Sequence, residues 1–491
     1  MAKQNILDRA ISWLSPERGL KRSLARTRSG VIAPRQAYDG ASTGRRTDGW
    51  RVVGTSADAE ASVGGTRLRD VARDMVRNNP HAWRLRQSIT VNTVGTGIIP
   101  SVESADEAVR TSIERLLVDH FDSTACDATG RHDVYGLQNL AMGTIVESGE
   151  VLIRLRPRLA SDGLPLPFQM QVLEPDYLDS SIDGILPGGN RAIRGIEFNK
   201  IGQRVAYWLF SEHPGSISSY SLPTSHRVPA ERVLHIFRVD RPDQHRGVSW
   251  FAPVVMRLRD YADAADAHLV RQKISACFTA FITSVDGGDA DGEGPYTYPL
   301  EEIGPGMIER LRPGDDVRFG SPPQVDGFAE YARSVLREIA AGMGVSYEAL
   351  TGDLTGVNFS SGRMGWLEYQ RSIDSWRNHM LVPQMLAPIG AWFLDAAAAQ
   401  TGSRPDARIK WTPPRREMID PTKEIIAART AIRAGLSSRA YELRRLGFDP
   451  EVLDQEIAAD NARADKLELI LDSDPRRMSQ AGQAQQETAG E

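Results

Sequence analysis

Residues 247–276 read Gly-Val-Ser-Trp-Phe-Ala-Pro-Val-Val-Met-Arg-Leu-Arg-Asp-Tyr-Ala-Asp-Ala-Ala-Asp-Ala-His-Leu-Val-Arg-Gln-Lys-Ile-Ser-Ala. Ser249 offers a helix cap, Pro253 fits an early turn, and nothing from Val254 to Ala276 breaks a helix. The stretch predicts a rod of about 26 residues, about 39 Å long at 1.5 Å per residue. Its Tyr261–Ala267 portion is rich in Ala and Asp and poor in large apolar groups. Such a helix covers little core alone, while its small residues let another helix approach closely. A partner helix is expected, and Phe328–Gly342 offers one, with Tyr331, Val335 and Ile339 on a single stripe. Between the two, Phe278–Gln324 reads as strands and turns, with a Gly- and Asp-rich loop at Asp286–Pro295.

Upstream of the rod, Leu68–Ile89 and Asp133–Glu147 carry helical periodicity. The second runs into Glu150–Arg156, where Val151, Ile153 and Leu155 alternate with Leu152 and the arginines as in a strand. Further strand-like runs are Phe168–Val172, Ala192–Phe198, Arg204–Phe210 and Arg232–Arg238, separated by the turn-rich Gly184–Asn190 and Ser211–Pro229. An α+β fold class follows. Downstream, Thr351–Gly362 is rich in Gly, Thr, Asn and Ser, and Ser360 is expected to cap a long helix towards Ala399 that Pro383 and Pro388 must kink or divide. A helical unit spans Asp420–Leu471, its central helix beginning at Ser437, Arg439 and Ala440 and ending at Gly447.

With 491 residues, 41% of them hydrophobic, the chain can bury a sizeable core and has room for roughly three domain-sized units. The apolar runs Ala276–Val285 and Gly390–Leu394 fall short of the roughly 20 residues that cross a bilayer, so no membrane span is expected. The charged N-terminus lacks the apolar run of a secretory signal, which predicts cytoplasmic synthesis. The two cysteines, Cys126 and Cys277, form no CxxC and predict neither a zinc site nor a disulfide framework. A net charge of -5 argues against a general nucleic-acid binder. Residues 1–51 nevertheless hold eleven Lys or Arg against four acids, a local charge of +7 that reads as a basic arm. The segment 474–491 is Gln-, Ala- and Gly-rich and reads as a disordered tail.

The chain contains no Gly-Lys dipeptide, so the phosphate-cradling loop of an ATPase is missing. The Asp286, Asp289, Asp291 and Gly292 cluster imitates a calcium loop, but Gly287 and Tyr298 would then stand at its first and last ligand positions. None of the nine histidines belongs to an HExxH or to a metal-ligating pair, and Ser360-Ser361-Gly362 lacks the GxSxG elbow of a nucleophile. No catalytic residue, metal or cofactor is expected. A nuclease with carboxylates scattered along the chain is the enzymatic alternative, and it has no positive support.

The stretch Val228–Pro253, VPAERVLHIFRVDRPDQHRGVSWFAP, with its continuation to Phe278, resembles the signature of lambda-like phage portal proteins. Two further blocks agree in order and spacing: Leu311–Val317 with Ser321–Pro323, and Leu336–Asp353 leading to Asn358–Arg363. Phe359 departs from the pattern, since a Tyr usually follows this Asn, and a hydroxyl is lost. The resemblance implies a ring, usually of twelve copies, at one capsid vertex, acting as the channel for double-stranded DNA. It implies a basic arm at 1–65, a wing at 66–246, a stem helix at 247–276, a clip at 277–325, a return stem helix at 326–350, a tunnel loop at 351–359, a long kinked helix with a return to the wing at 360–415, a helical crown at 416–473 and the tail. The expected partners are further copies of the chain, the terminase large subunit, the major capsid or scaffold protein, a head–tail adaptor and the passing DNA. Thr351, Gly352, Thr355, Gly356 and Asn358 are the candidate tunnel-loop residues, and Glu301 and Glu302 are the candidate motor contacts. For Arg257, Arg259, Arg271 and Lys273 on the stem, salt bridging to Asp260, Asp263 and Asp266 is weighed against DNA contact. The competing reading is another capsid or head–tail adaptor protein.

Overall fold

The computed structural model describes residues 45–50, 53–216, 224–277, 281–284, 315–318, 327–414 and 420–469, with a few single positions nearer the ends. The chain divides after Ser56 into two units, and the elements below belong to the second, Ala57–Glu491.

Two helices, α1 (Ala57–Asn78) and α2 (Pro80–Val94), open this unit. After β1 (Ile99–Glu103) come α3 (Glu107–Phe121) and α4 (Val134–Ser148), then β2 (Glu150–Pro157) and β3 (Phe168–Leu173). A meander follows: β4 (Gly184–Ile185), β5 (Arg191–Ile193), β6 (Ile196–Phe198), β7 (Arg204–Phe210) and β8 (Ser225–Pro229) form one antiparallel sheet in sequence order. The next strand, β9 (Val233–Phe237), returns beside β2, giving a three-stranded sheet of order β3-β2-β9. Next are α5 (Val255–Cys277), the paired strands β10 (Phe281–Ser284) and β11 (Asp315–Arg318), α6 (Phe328–Met343) and the short α7 (Tyr347–Thr351). The chain continues through α8 (Phe359–Trp376), a π-helical segment (Arg377–Leu386), α9 (Ala387–Thr401), β12 (Arg408–Thr412), and three helices α10 (Pro421–Arg433), α11 (Arg439–Arg445) and α12 (Pro450–Lys466).

Strand β2 organises two cores because its side chains alternate. Val151 and Ile153 enter a large core with Leu85 and Ile89 of α2, Ile145 of α4 and Phe393 of α9. Leu152 faces the other way, into a smaller core with Ile196, Tyr207 and Leu209 of the five-stranded sheet. Each such side chain, fully buried, contributes about 1.5–3 kcal/mol.

Several elements differ from expectation for local reasons. Leu68–Ile89 is two helices, because Pro80 forces Asn79 into an extended conformation (φ -113°, ψ 120°) from which its side chain caps α2. Ala192–Phe198 is a hairpin, with Arg194 and Gly195 both at positive φ (47° and 89°), as a tight primed turn requires. The rod α5 has 23 residues, about 35 Å, and starts at Val255 rather than near Ser249. Ser249 Oγ accepts instead from Phe251 N at 3.3 Å and holds the turn before the helix. The downstream helix starts at Phe359, capped by Asn358 and not by Ser360.

Pro383 is accommodated by the π-helical widening of residues 377–386, which absorbs the missing N–H where a kink or division was expected. The joined helix Ser360–Gln400 is long and apolar enough to cross a bilayer by composition, although Gly390–Leu394 alone is short. More than half of its most apolar 18-residue window is inside the protein, with Met380, Leu381, Met385, Leu386 and Phe393 in the large core. The pair β1–β12, from Ile99 opposite Thr412 to Glu103 opposite Arg408, joins segments some three hundred positions apart and has no local signature.

Candidate functional site

The hairpin of α5 and α6 is bare over much of its length. The helices run antiparallel: Arg257 Nε donates to Glu338 Oε1 at 3.1 Å near one end, and the His268 ring stacks on Phe328 at 4.2 Å farther along. Beyond them β10 and β11 pair from Phe281 opposite Arg318 to Ser284 opposite Asp315, so the hairpin continues as a ribbon. Its root is anchored: Trp250, Phe251, Val254 and Leu258 are buried, and Trp250 packs on Trp376 at 4.9 Å with the Arg238 guanidinium over its ring. Past the root the character reverses. From Arg259 to Lys273 no residue is buried, and Leu269 and Val270 are about half exposed.

The four basic residues of α5 behave differently. Arg257 reaches Asp260 (3.9 Å) and Glu338, and Arg259 reaches Asp263 (3.2 Å), all on exposed side chains, so each is worth little to stability. Arg271 is half-buried and Lys273 is exposed. Glu301, Glu302 and the calcium-like Asp286–Gly292 cluster lie outside the described residues.

The polar segment after α6 is shaped by its own hydrogen bonds. Thr351 is the last residue of α7 and donates through Oγ1 to Tyr347 O at 2.9 Å, while Gly352 closes that helix at φ 72°. Asp353 accepts from Thr355 N and Thr355 Oγ1, and Gly356 reverses the chain at φ 78°. Asn358 caps α8: its Oδ1 accepts from Ser361 N at 2.8 Å and its N–H donates to Ser361 Oγ at 3.1 Å. The five candidate residues thus fall within one eight-residue connection, 351–358, with Gly352, Thr355, Gly356 and Asn358 exposed; the exposed tip of this connection is Leu354 to Gly356.

Behind the hairpin root lies a charged junction that sequence reading missed. Glu150 is buried, and its carboxylate accepts from Arg246, from His235 Nε2 at 2.9 Å and from Gly247 N at 2.7 Å. Burial pushes the Glu150 carboxyl up, but Arg246 and His235 outweigh it and hold the group well below its ordinary value. His235 is driven below its ordinary value by burial and stays neutral. Backbones meet here too: a Cβ on Gly247 would stand 2.3 Å from Gly149 O, and one on Gly149 2.3 Å from Val248 C. The available signal was His245-Arg246-Gly247 inside the quoted signature.

Elsewhere, Glu174, Asp176 and His213 bring possible ligand atoms within 4.8 Å of one another. Asp176 is already bound by Arg69 (2.9 Å) and Arg73 (2.7 Å), and Arg73 also reaches Glu174 (3.0 Å). Two guanidiniums at the same carboxylates neutralise the charge that a cation would need, so the arrangement is an ion-pair network.

A sequence model of the family described as phage portal protein, lambda family, matches residues 43–377. A probable portal protein of Halomonas phage phiHAP-1 is 27% identical over 449 residues, covering 86% of each chain. Portal protein B of Escherichia phage lambda is 21% identical over 476 residues, covering 85% of this chain and 88% of the other. Among solved structures, a chain in the neck of a native gene transfer agent particle, computed with C12 symmetry, superposes with a TM-score of 0.47 at 17% identity, covering 79% of this chain and 94% of that one. An HK97 family phage portal protein from Corynebacterium diphtheriae gives 0.31 at 10% identity, covering 71% and 94%.

Proposed function

The chain belongs to the lambda family of phage portal proteins, the head–tail connectors of DNA packaging, and we propose how its parts divide that work. The observation that carries the division is the α5–α6 hairpin, anchored at its root and bare from Arg259 to Lys273. A two-helix rod with so little buried surface needs neighbours, and a closed head-to-tail ring supplies them, in the twelve-fold form that the resemblance implies. In this reading residues 247–276 and 326–350 are the stem, and the clip at 277–325 protrudes beyond it. The wing is 66–246, the helix of 360–415 bridges back to it, and 416–473 is the crown. The terminase large subunit docks at the clip, with Glu301 and Glu302 as contacts. The adaptor takes its place later, the capsid or scaffold protein surrounds the wing, and the arm at 1–65 contacts DNA or capsid partners.

Thr351 to Phe359 face the passing DNA, where Thr351, Thr355 and Asn358 offer uncharged hydrogen-bonding groups. Each phosphate contact adds affinity and friction, so a channel for sliding DNA should not be strongly basic, and a net charge of -5 suits passage. The paired state of Arg257 and Arg259 supports a structural role for them rather than DNA capture. No catalysis, cofactor or metal enters this reading.

Negative-stain images of the purified protein are expected to show rings with a central hole, and native mass spectrometry the same closed oligomer. Only monomers or dimers across a range of concentration and salt would overturn the ring. Incubation with DNA and magnesium or manganese is expected to leave the DNA intact, and cleavage would favour the nuclease alternative.

A further inference from the structure

Where the three-stranded and five-stranded sheets meet, five arginines line one concavity of about 310 Å³: Arg154, Arg156 and Arg158 along β2 and the turn after it, Arg227 on β8, and Arg232 in the turn before β9. Strand geometry puts them there. Leu152 faces the smaller core, and the two-residue alternation carries the same face on to Arg154 and Arg156, where that core has ended. Among the described residues no carboxylate lines the hollow, and its remaining walls are Leu155, Val228 and two prolines.

Two of the five have partners. Arg227 makes a two-pronged pair with Glu197 (2.8 and 3.1 Å), and Arg158 donates to Gln169 Oε1 at 2.7 Å. Arg154, Arg156 and Arg232 have no acidic partner among the described residues, and burial together with the charges of Arg156 and Arg232 pushes the Arg154 guanidinium down. Like charges gathered without a counter-ion weaken a fold, and such departures from a stable arrangement gather at functional sites.

We infer that this hollow is a phosphate-binding site, and that the phosphate it takes is that of the DNA backbone. A carboxylate offers two oxygens in one plane and is matched by one guanidinium fork. Three unpaired forks around one hollow suit a group with oxygens on several sides, and a phosphate brings the missing negative charge. The inference rests on the portal reading only for the source of that phosphate.

Thermal unfolding of the full-length protein, at constant ionic strength, tests it with three probes: inorganic phosphate, a DNA duplex of about 20 base pairs, and poly-glutamate. Phosphate and duplex are expected to raise Tm, and poly-glutamate to leave it unchanged. In the triple variant Arg154→Gln, Arg156→Gln, Arg232→Gln the rise disappears, while the starting Tm does not fall, because repulsion has been removed. Duplex affinity at low salt drops roughly tenfold, and the dependence of log K on log salt becomes shallower by about one for every phosphate the variant no longer neutralises. Equal responses in wild type and variant overturn the site. A poly-glutamate response as large as that of phosphate overturns it in favour of an acidic protein partner, and a response to phosphate without one to duplex overturns DNA as the source. If the variant aggregates, arginine labelling of the wild type by phenylglyoxal decides: phosphate should protect Arg154, Arg156 and Arg232, and unprotected labelling refutes the proposal. Ring counts by native mass spectrometry on the same samples separate a failed portal assembly from a failed phosphate site.

Discussion

Arg246 Nη2 donates to Glu150 Oε1 at 2.6 Å, and both side chains are 2% exposed. The pair joins the start of β2 to the residue just ahead of the hairpin root, so it couples the sheets to the rod. Desolvation of two charges consumes much of their attraction, which makes the pair a device for fixing geometry more than a source of net stability. Removing one partner is different, because the other stays buried without compensation.

Glu150→Ala is therefore expected to destabilise the protein by about 3–5 kcal/mol, and Arg246→Met by a similar amount. The double variant should lose clearly less than the sum, since the stranded charge is gone. Arg246 Nη1 also donates to Ser180 Oγ (3.0 Å) and to Arg194 O (3.1 Å), so some loss remains. Denaturant unfolding of the four proteins measures the coupling, and strict additivity would contradict it.

Gly149→Ala and Gly247→Ala each place a methyl 2.3 Å from backbone atoms of the other segment. Backbone cannot swing aside as a side chain does, so each change should cost at least about 1–3 kcal/mol, the usual overpacking range. Gly149 adds strain of its own at φ 91° and should be the worse of the two. Melting temperatures against wild type check the order.

His120 lies wholly buried between Phe121 and Phe168, with neither ring nitrogen hydrogen-bonded, and burial lowers its pKa to about 4 from the ordinary 6.5. As pH falls from 6.5 towards 4 the unfolded chain binds a proton that the folded one refuses, so stability declines across that window by up to about 3 kcal/mol. His120→Leu should flatten this decline and hold or raise stability at pH 7, because an unsatisfied polar group leaves the core. His235, also lowered by burial, keeps some slope in place. An unchanged pH profile of unfolding would count against the assignment.

Ala264 and Ala265 sit half-buried on the bare part of α5. If a neighbouring copy packs against that face, Ala264→Leu with Ala265→Leu overfills a close helix contact at a cost of about 1–3 kcal/mol per interface. Ring yield in native mass spectrometry should fall while the monomer's melting temperature holds. Unchanged rings would show that the contact lies on another face.

The rod, its return helix and most strands were legible because each follows a local period: Arg204–Phe210 was read with its observed limits, and Val134–Ser148 within a residue at each end. What escaped notice was long-range. Glu150 and Arg246 are ordinary charged residues in sequence, and only the fold places them in one dry site 96 positions apart. The arginines of β2 registered as the polar half of an alternation, yet where the smaller core ends decides whether that face meets solvent, another chain or a ligand. The strand pair Ile99–Glu103 with Arg408–Thr412 depends on α9 and α3 bringing it together, which no window of sequence contains.

The final prediction concerns Asp353 to Gly356, the segment that carries the exposed tip between α7 and α8. Its ends are held independently: Thr351 and Gly352 terminate α7 by bonding back to Tyr347 and Glu348, and Asn358 caps α8 with Ser361. Arg84 Nε also donates to Ala349 O at 3.2 Å, tying α7 to α2. Deleting Asp353–Gly356 therefore removes the tip without dismantling either cap, although Tyr347 loses its weak 3.3 Å bond to Asp353. A simple connector would tolerate the deletion or fail to fold. A loop that meets DNA in the channel should instead leave rings and empty heads intact while packaging or retention of the genome falls. Full-length genome packaged at wild-type yield by this variant would remove Thr351 to Phe359 from the DNA path.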